Sequence, residues 1–282
     1  MDKEKLTEER YWDSRYKRAS GKESSASGKS FKARLFDRYF SKIKNGYPSY
    51  LLFNVFCKKY FPEDQQKIIE IGSAPGKNLV NLSKIFDYIP YGVEYTESGV
   101  EANRELFKKN GLDEDNIILA DFFDEKFQAE YNDQFDIVMS LGFIEHFEDP
   151  RDVVEKHINL IKPGGYLLVA IPNFRGINYL LSSYFCRHTL KAHNLEIMKK
   201  KNFISLFDSG KLEIVKSRFY GTLNFGLIYG LNKSPFKLKL MYLFLFFQKL
   251  FDIFFYTFFR KGGIDSSLFS PYQMMICQKI TK

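Results

Sequence analysis

The chain has 282 residues, with 45% hydrophobic and 27% charged side chains and a net charge of +8. That is the make-up of a soluble globular protein of one large domain, or one domain with appendages, and the basic balance permits an anionic partner without choosing one. Three widely spaced cysteines, Cys57, Cys186 and Cys277, exclude a disulfide framework and a cysteine metal site and point to a reducing compartment.

Residues 1–19 read as a short helix anchored by Tyr11, Trp12 and Tyr16, and they lack the apolar core of a signal peptide, so a cytoplasmic location is expected. "SGKESSASGKS", residues 20–30, reads as a flexible or lid-like segment. Its Gly28-Lys29-Ser30 is not a phosphate loop, because the first glycine of that pattern falls on Glu23. Residues 31–61 carry Phe31, Leu35, Tyr39, Leu51, Leu52, Val55, Phe56 and Tyr60 at helical spacing, divided by Pro48 into two expected helices.

From Lys67 strands and helices alternate. "KIIEI", "YGVEY", "NIILAD", "FDIVMSL" and "YLLVAIPN" are short apolar runs. Between them "GKNLVNLSKIFD", "ESGVEANRELFKKNG" and "PRDVVEKHINLIKPGG" have helical spacing. Continuous rather than alternating apolar runs imply a parallel sheet covered on both faces, an α/β fold. A further helix is expected near residues 193–207, then strands at "KLEIVKSRFYG" and "YQMMICQKI".

A segment of unusual composition interrupts the end of the series. Of the 24 residues 236–259, 11 are Phe or Tyr, and residues 233–261 carry six Lys or Arg against one acid, Asp252. Gln248, Lys249 and Asp252 near its middle argue against a membrane span, and with Arg260 they are expected on one helical face. The segment reads either as a basic, aromatic helix pair that contacts a membrane surface or holds a lipid-like tail, or as a buried lid packed on the sheet. The expected organisation is an N-terminal helical cap, residues 1–62, and a core, residues 63–282, with a helical insertion at about residues 222–268 before the last strand.

Ligands of a parallel sheet bind beyond the carboxyl ends of its strands, where "IEIGSAPGKN" follows the first one. A dinucleotide fingerprint beginning at Gly72 requires glycines at positions 74 and 77, where Ala74 and Lys77 stand. The stretch instead resembles the first motif of class I S-adenosylmethionine-dependent methyltransferases, an acid followed by G-x-G-x-G, with Glu70 as the acid, Gly72 and Gly76 as outer glycines and Ala74 in the middle position. The resemblance continues in order. Glu94 ends the second strand, Asp121 and Phe122 close the third, "FDIVMSLGFIEHF" follows the family's fourth motif, and "LIKPGGYLLVAIPN" its fifth strand.

The resemblance implies a Rossmann-like, seven-stranded, mostly parallel sheet with an antiparallel last strand. It also implies S-adenosylmethionine as cofactor. Glu70 would receive its amino group, Glu94 the ribose hydroxyls and Asp121 the adenine, with Phe122 over the ring and Leu141 beside the cofactor. Gly72 allows close backbone approach, and Gly76 opens a helix whose amides can face a carboxylate.

Methyl transfer to a hydroxyl benefits from a general base. His146, in "EHF", looks like the E-H pair of the ubiquinone-biosynthesis O-methyltransferases. There an E-x-x-E-H pattern is associated with a divalent metal; here Gly142 stands at the first Glu position, so no metal is expected. His193 lies where relatives carry a substrate-facing histidine. Each has an alternative, a cofactor-side role for His146 and an exposed helix start for His193, while His157 reads as structural. The expected activity is O-methylation of a small-molecule, lipid-linked or glycan acceptor, on a protein that is cytoplasmic or peripheral on the inner face of a membrane. A nucleic-acid or protein methyltransferase and a non-catalytic binding or membrane-recruitment module are the alternatives. Scattered basic residues, and "SLGF" where amine methyltransferases carry an N-P-P-Y-like motif, argue against nucleic acid.

Overall fold

The computed structural model describes residues 6–7, 43–63, 65–228 and 234–281. The first expected helix (apart from Leu6 and Thr7), the Ser/Gly segment and Phe31, Leu35 and Tyr39 lie outside the described residues.

The first described helix, α1, begins at Tyr47–Tyr50, widens into a π-helical stretch, Leu51–Cys57, and closes over Lys58–Tyr60. Pro48 does not divide two helices among the described residues. It sits in the first turn of α1, where its missing N–H costs nothing.

Strands and helices then alternate: β1 (Lys67–Ile71), α2 (Lys77–Phe86), β2 (Ile89–Glu94), α3 (Glu97–Lys109), β3 (Ile117–Leu119), α4 (Glu125–Glu130), β4 (Phe135–Leu141), α5 (Pro150–Leu160) and β5 (Ile161–Pro172). Short helices α6 (Gly176–Phe185), α7 (Arg187–Lys191) and α8 (Lys200–Ser205) lead to β6 (Leu212–Tyr220). The long helix α9 (Pro235–Phe258) precedes β7 (Tyr272–Lys279). Local chemistry starts several of the helices. Thr96 accepts a hydrogen bond from Gly99 N–H ahead of α3, and Asp149 accepts one from Arg151 N–H ahead of α5, with Pro150 in its first turn.

Among the described residues the strands form one sheet in the order β3-β2-β1-β4-β5-β7-β6. The pairs from β3 to β5 are parallel, and β7 runs antiparallel to both β5 and β6. Successive residues of each central strand enter opposite cores. Ile69 of β1, Val138 of β4 and Val169 of β5 pack on one side, and Ile68, Met139 and Leu168 on the other. Burial on both faces is why these strands read as unbroken apolar runs.

Three expectations are corrected. The helix read through Gly165 ends at Leu160, and "KPGG" belongs to β5. Pro163 cannot continue a helix, and Gly165 passes so close to β4 that a Cβ would lie 2.8 Å from the Asp136 carbonyl. The helix expected near residues 193–207 is broken into a turn at Glu196–Met198 and α8, because the Asn194 N–H donates to the Glu145 carbonyl at 2.7 Å rather than up a helix. The aromatic segment is one 24-residue helix, not a pair, and it splits the four polar residues. Gln248 is buried and Asp252 half-buried, whereas Lys249 and Arg260 are exposed. No helix among the described residues is long and apolar enough to cross a membrane.

Candidate functional site

The turn after β1 is tight. Gly72 and Ser73 N–H both donate to the Val93 carbonyl, at 3.0 and 3.3 Å, and Gly76 N–H donates to the Ser73 carbonyl at 2.7 Å. Gly72 and Gly76 both adopt positive φ, +68° and +84°. A Cβ on Gly76 would lie 2.4 Å from Asn103 Oδ1, so only glycine suits this N-terminus of α2. The Ala74–Pro75 peptide is cis.

Around this turn the expected residues converge. Gly72, Ala74, Glu94, Asp121, Phe122, Leu141, His146 and His193 all line one cavity of about 440 Å³. Glu70 and Gly76 are not among the residues that line it. Glu70 is buried, and one carboxylate oxygen accepts from Asn78 Nδ2 at 2.7 Å while Oε2 has no partner. Burial pushes its carboxyl up to about 8 against the pull of that hydrogen bond. An orphaned, buried acceptor of this kind fits an ammonium group, which would supply both the missing donor and the missing charge.

Glu94 is also buried and raised. Its Oε1 accepts from the Tyr95 amide (3.1 Å), the Thr96 amide (3.3 Å) and the Thr96 hydroxyl (3.2 Å), which fixes the carboxylate at the cavity edge. Asp121 is exposed on the rim and accepts from Phe123 N–H at 3.0 Å. Phe122 is less a lid than a floor: 4% exposed, it packs edge-on against Phe143 and lies 4.8 Å from the His157 ring. His157 is structural, with Nδ1 2.7 Å from the Val153 carbonyl and its pKa lowered to about 4 by burial.

His146 and His193 come together. Their ring centroids are 4.5 Å apart, and both are largely buried, at 5% and 7% exposure. The exposed-surface alternative for His193 therefore fails: it packs against Phe174 as well as His146. His146 Nδ1 lies 2.7 Å from the Ala192 carbonyl and His193 Nδ1 2.6 Å from the Thr189 carbonyl. A carbonyl only accepts, so both neutral rings carry their proton on Nδ1 and keep the Nε2 lone pair.

Sequence reasoning passed over Glu145, although it stands next to His146. Its carboxyl is 1% exposed and pushed up to about 8 by burial, and Oε1 lies 3.9 Å from His146 Nε2. Ligand atoms of Glu145, His146 and His193 fall within 4.8 Å of one another, a donor set of the type that chelates a divalent ion. Asn78 carried a usable signal, since a buried strand-end carboxylate calls for a donor on the first turn of the following helix. Thr7 carried none; it reaches the cavity because Leu6 N–H donates to the His146 carbonyl at 2.9 Å.

A second cavity, about 1080 Å³, adjoins the first. Leu141, Gly142, Pro172 and Tyr272 line both. Its far walls are Pro48 and Leu52 of α1 and Leu245, Gln248, Asp252 and Ile253 of α9. Tyr47 N–H and Gln248 Nε2 both donate to Asp252 Oδ1, at 3.1 and 2.9 Å, and burial raises that carboxyl.

A model of the methyltransferase domain matches residues 62–224, more than half of the chain. The chain belongs to the S-adenosylmethionine-dependent methyltransferase-domain family. The chain is 24% identical to the ubiquinone biosynthesis O-methyltransferase of Thiobacillus denitrificans over 45% of its own length and 53% of the relative's. It is 20% identical to the mitochondrial one of Dictyostelium discoideum, over 55% and 52%. It thus spans about half the length of these curated relatives. Among solved structures it shares its fold with a methyltransferase of Thermotoga maritima described as a possible histamine N-methyltransferase (TM-score 0.52, 17% identity, 88% of this chain and 96% of that one). It does so too with a methyltransferase of Archaeoglobus fulgidus (TM-score 0.52, 16% identity, 88% and 99%). The seven-stranded sheet with an antiparallel last strand implied by the resemblance is found, and its strand order is that of the methyltransferase fold.

Proposed function

We propose that the protein transfers a methyl group from S-adenosylmethionine to an oxygen of a small-molecule, lipid-linked or glycan acceptor. The observation that supports this reading is the meeting of two cavities at Leu141, Gly142, Pro172 and Tyr272, beside the paired rings of His146 and His193.

S-adenosylmethionine supplies an electrophilic methyl on a sulfonium. Glu70 would receive its amino group, Glu94 would hold the ribose and Asp121 the adenine edge. The large cavity takes the acceptor and turns its hydroxyl toward the shared rim. His146 or His193 accepts the hydroxyl proton on Nε2, while the carbonyl on its Nδ1–H keeps the ring oriented. The apolar walls exclude water from the displacement.

Calorimetric titration tests the cofactor, and transfer of labelled methyl from S-adenosylmethionine into a small-molecule and lipid extract tests the reaction. Binding of S-adenosylmethionine and label in the organic phase, both reduced in Glu70→Ala, are expected. Binding of NAD in its place would overturn the reading.

A further inference from the structure

Helix α9 has two working faces. Leu245, Gln248, Asp252 and Ile253 face the acceptor cavity. The opposite side bears Leu243, Phe246, Leu250, Phe254 and Phe258, with Phe246 61% and Phe258 68% exposed. These positions recur every three or four residues, so they form one continuous stripe along the helix. A soluble chain rarely leaves so long an aromatic stripe in water unless it binds something.

The stripe continues beside α9. Lys237 Nζ donates to the Tyr184 carbonyl at 2.7 Å and lies 4.2 Å from the centre of its ring, tying the end of α6 to the start of α9. On α6, Ile177, Leu180 and Tyr184 are exposed at helical spacing.

Charge decides among occupants. Lys239 near the start of α9 and Arg260 and Lys261 just past its end are exposed, while the exposed Lys249 lies on the cavity-lining face. The only acid between residues 234 and 263 is Asp252, which is held by Tyr47 and Gln248 on the inner face. A second copy of this chain would bring the same positive charges into opposition. An anionic lipid surface complements them, taking the aromatic stripe into the headgroup and acyl boundary while the long basic side chains reach the phosphates.

We infer that α9, with the exposed side of α6, is an interfacial docking surface for an anionic membrane, laid parallel to the bilayer with its cavity-lining face turned away from it. This deepens the acceptor reading and rests on it in one respect: the helix that meets the lipid also walls the acceptor cavity, so the acceptor class favoured is an amphiphile drawn from the membrane.

The test is flotation of the full chain with vesicles of phosphatidylcholine alone or with about one third phosphatidylglycerol. The wild type floats with the anionic vesicles, by about tenfold or more over the neutral ones, and salt weakens the effect. Phe246→Ser/Leu250→Ser/Phe254→Ser and Lys239→Glu/Lys261→Glu each lose flotation while keeping S-adenosylmethionine binding by calorimetry. No flotation of the wild type, or flotation of the triple variant equal to wild type, overturns the inference. So does a wild-type dimer by light scattering that the triple variant converts to monomer without any vesicle binding, since that assigns the stripe to self-association. Flotation without S-adenosylmethionine binding would sink the enzymatic reading and leave the docking surface standing.

Discussion

His146 and His193 face each other with ring centroids 4.5 Å apart, each with Nδ1 committed to a backbone carbonyl. Both residues line the smaller cavity, and the carbonyl at each Nδ1 fixes the tautomer of the neutral ring. Replacing the residue that takes the acceptor proton with Ala should lower kcat by about 100- to 10,000-fold with S-adenosylmethionine affinity unchanged. Single-turnover rates and calorimetry on His146→Ala and His193→Ala measure the two quantities separately, and undiminished turnover in either variant removes that residue from the role.

Chelation probes the same corner. Turnover by chelator-treated protein is expected to equal that of untreated protein, as Gly142 in the first acidic position suggests. Stimulation by magnesium, manganese or zinc, lost in Glu145→Gln, would instead assign the Glu145, His146 and His193 group to a cation.

Glu70 gives a pH-dependent stability effect. Its folded pKa of about 8 lies above the usual carboxyl value of 4.5, so between those limits the folded state holds the proton more tightly. Stability from this group is present below about pH 4.5 and is lost as pH rises through 8. Glu70→Gln should therefore melt higher than wild type at pH 8, by on the order of 2–4 kcal/mol, and near wild type at pH 4.5. The same variant should bind S-adenosylmethionine more weakly. Thermal melts across pH with and without the cofactor follow both effects, and a variant no more stable than wild type at pH 8 contradicts the assignment.

Gly76→Ala puts a Cβ 2.4 Å from Asn103 Oδ1 on a residue at φ +84°. The backbone strain alone costs roughly 1–3 kcal/mol. A lowered melting temperature with a weakened cofactor complex is expected, and a neutral substitution would mean that the turn relaxes freely.

On the acceptor side, Gln248 Oε1 accepts from the Phe225 amide at 2.7 Å. Gln248→Ala leaves that buried N–H unpaired and should cost about 1–3 kcal/mol in chemical denaturation. Asp252→Asn keeps the shape and should raise the acceptor KM with little effect on the cofactor. A change confined to cofactor affinity would detach Asp252 from the acceptor cavity.

The turn after β1 and the strand ends around it were legible because their signals are local. Glu70, Gly72, Gly76 and Glu94 lie at strand ends and turns whose geometry is written in a few neighbouring residues. What escaped depends on distance in the chain. Glu145 is buried by folding rather than by its neighbours in sequence, and Thr7 is delivered by a bond from Leu6 to His146. The helix expected across residues 193–207 breaks because Asn194 bonds to Phe147 and Glu145, almost fifty residues earlier. Helix α6 was missed since its usual contrast is inverted, with Asn178 and Ser182 buried and Ile177 and Leu180 in water.

Tyr47 closes the molecule. Its amide donates to Asp252 and its hydroxyl donates to the Phe259 carbonyl at 2.6 Å, so α1 from early in the chain and α9 from late in it meet over the acceptor cavity. Most of the side chains that line the smaller cavity, from Ile71 to His193, come from the stretch between these flanks. The far walls of the large cavity thus come from two tracts distant in the chain and joined by this clasp, so a change in either flank is felt by the other across the cavity.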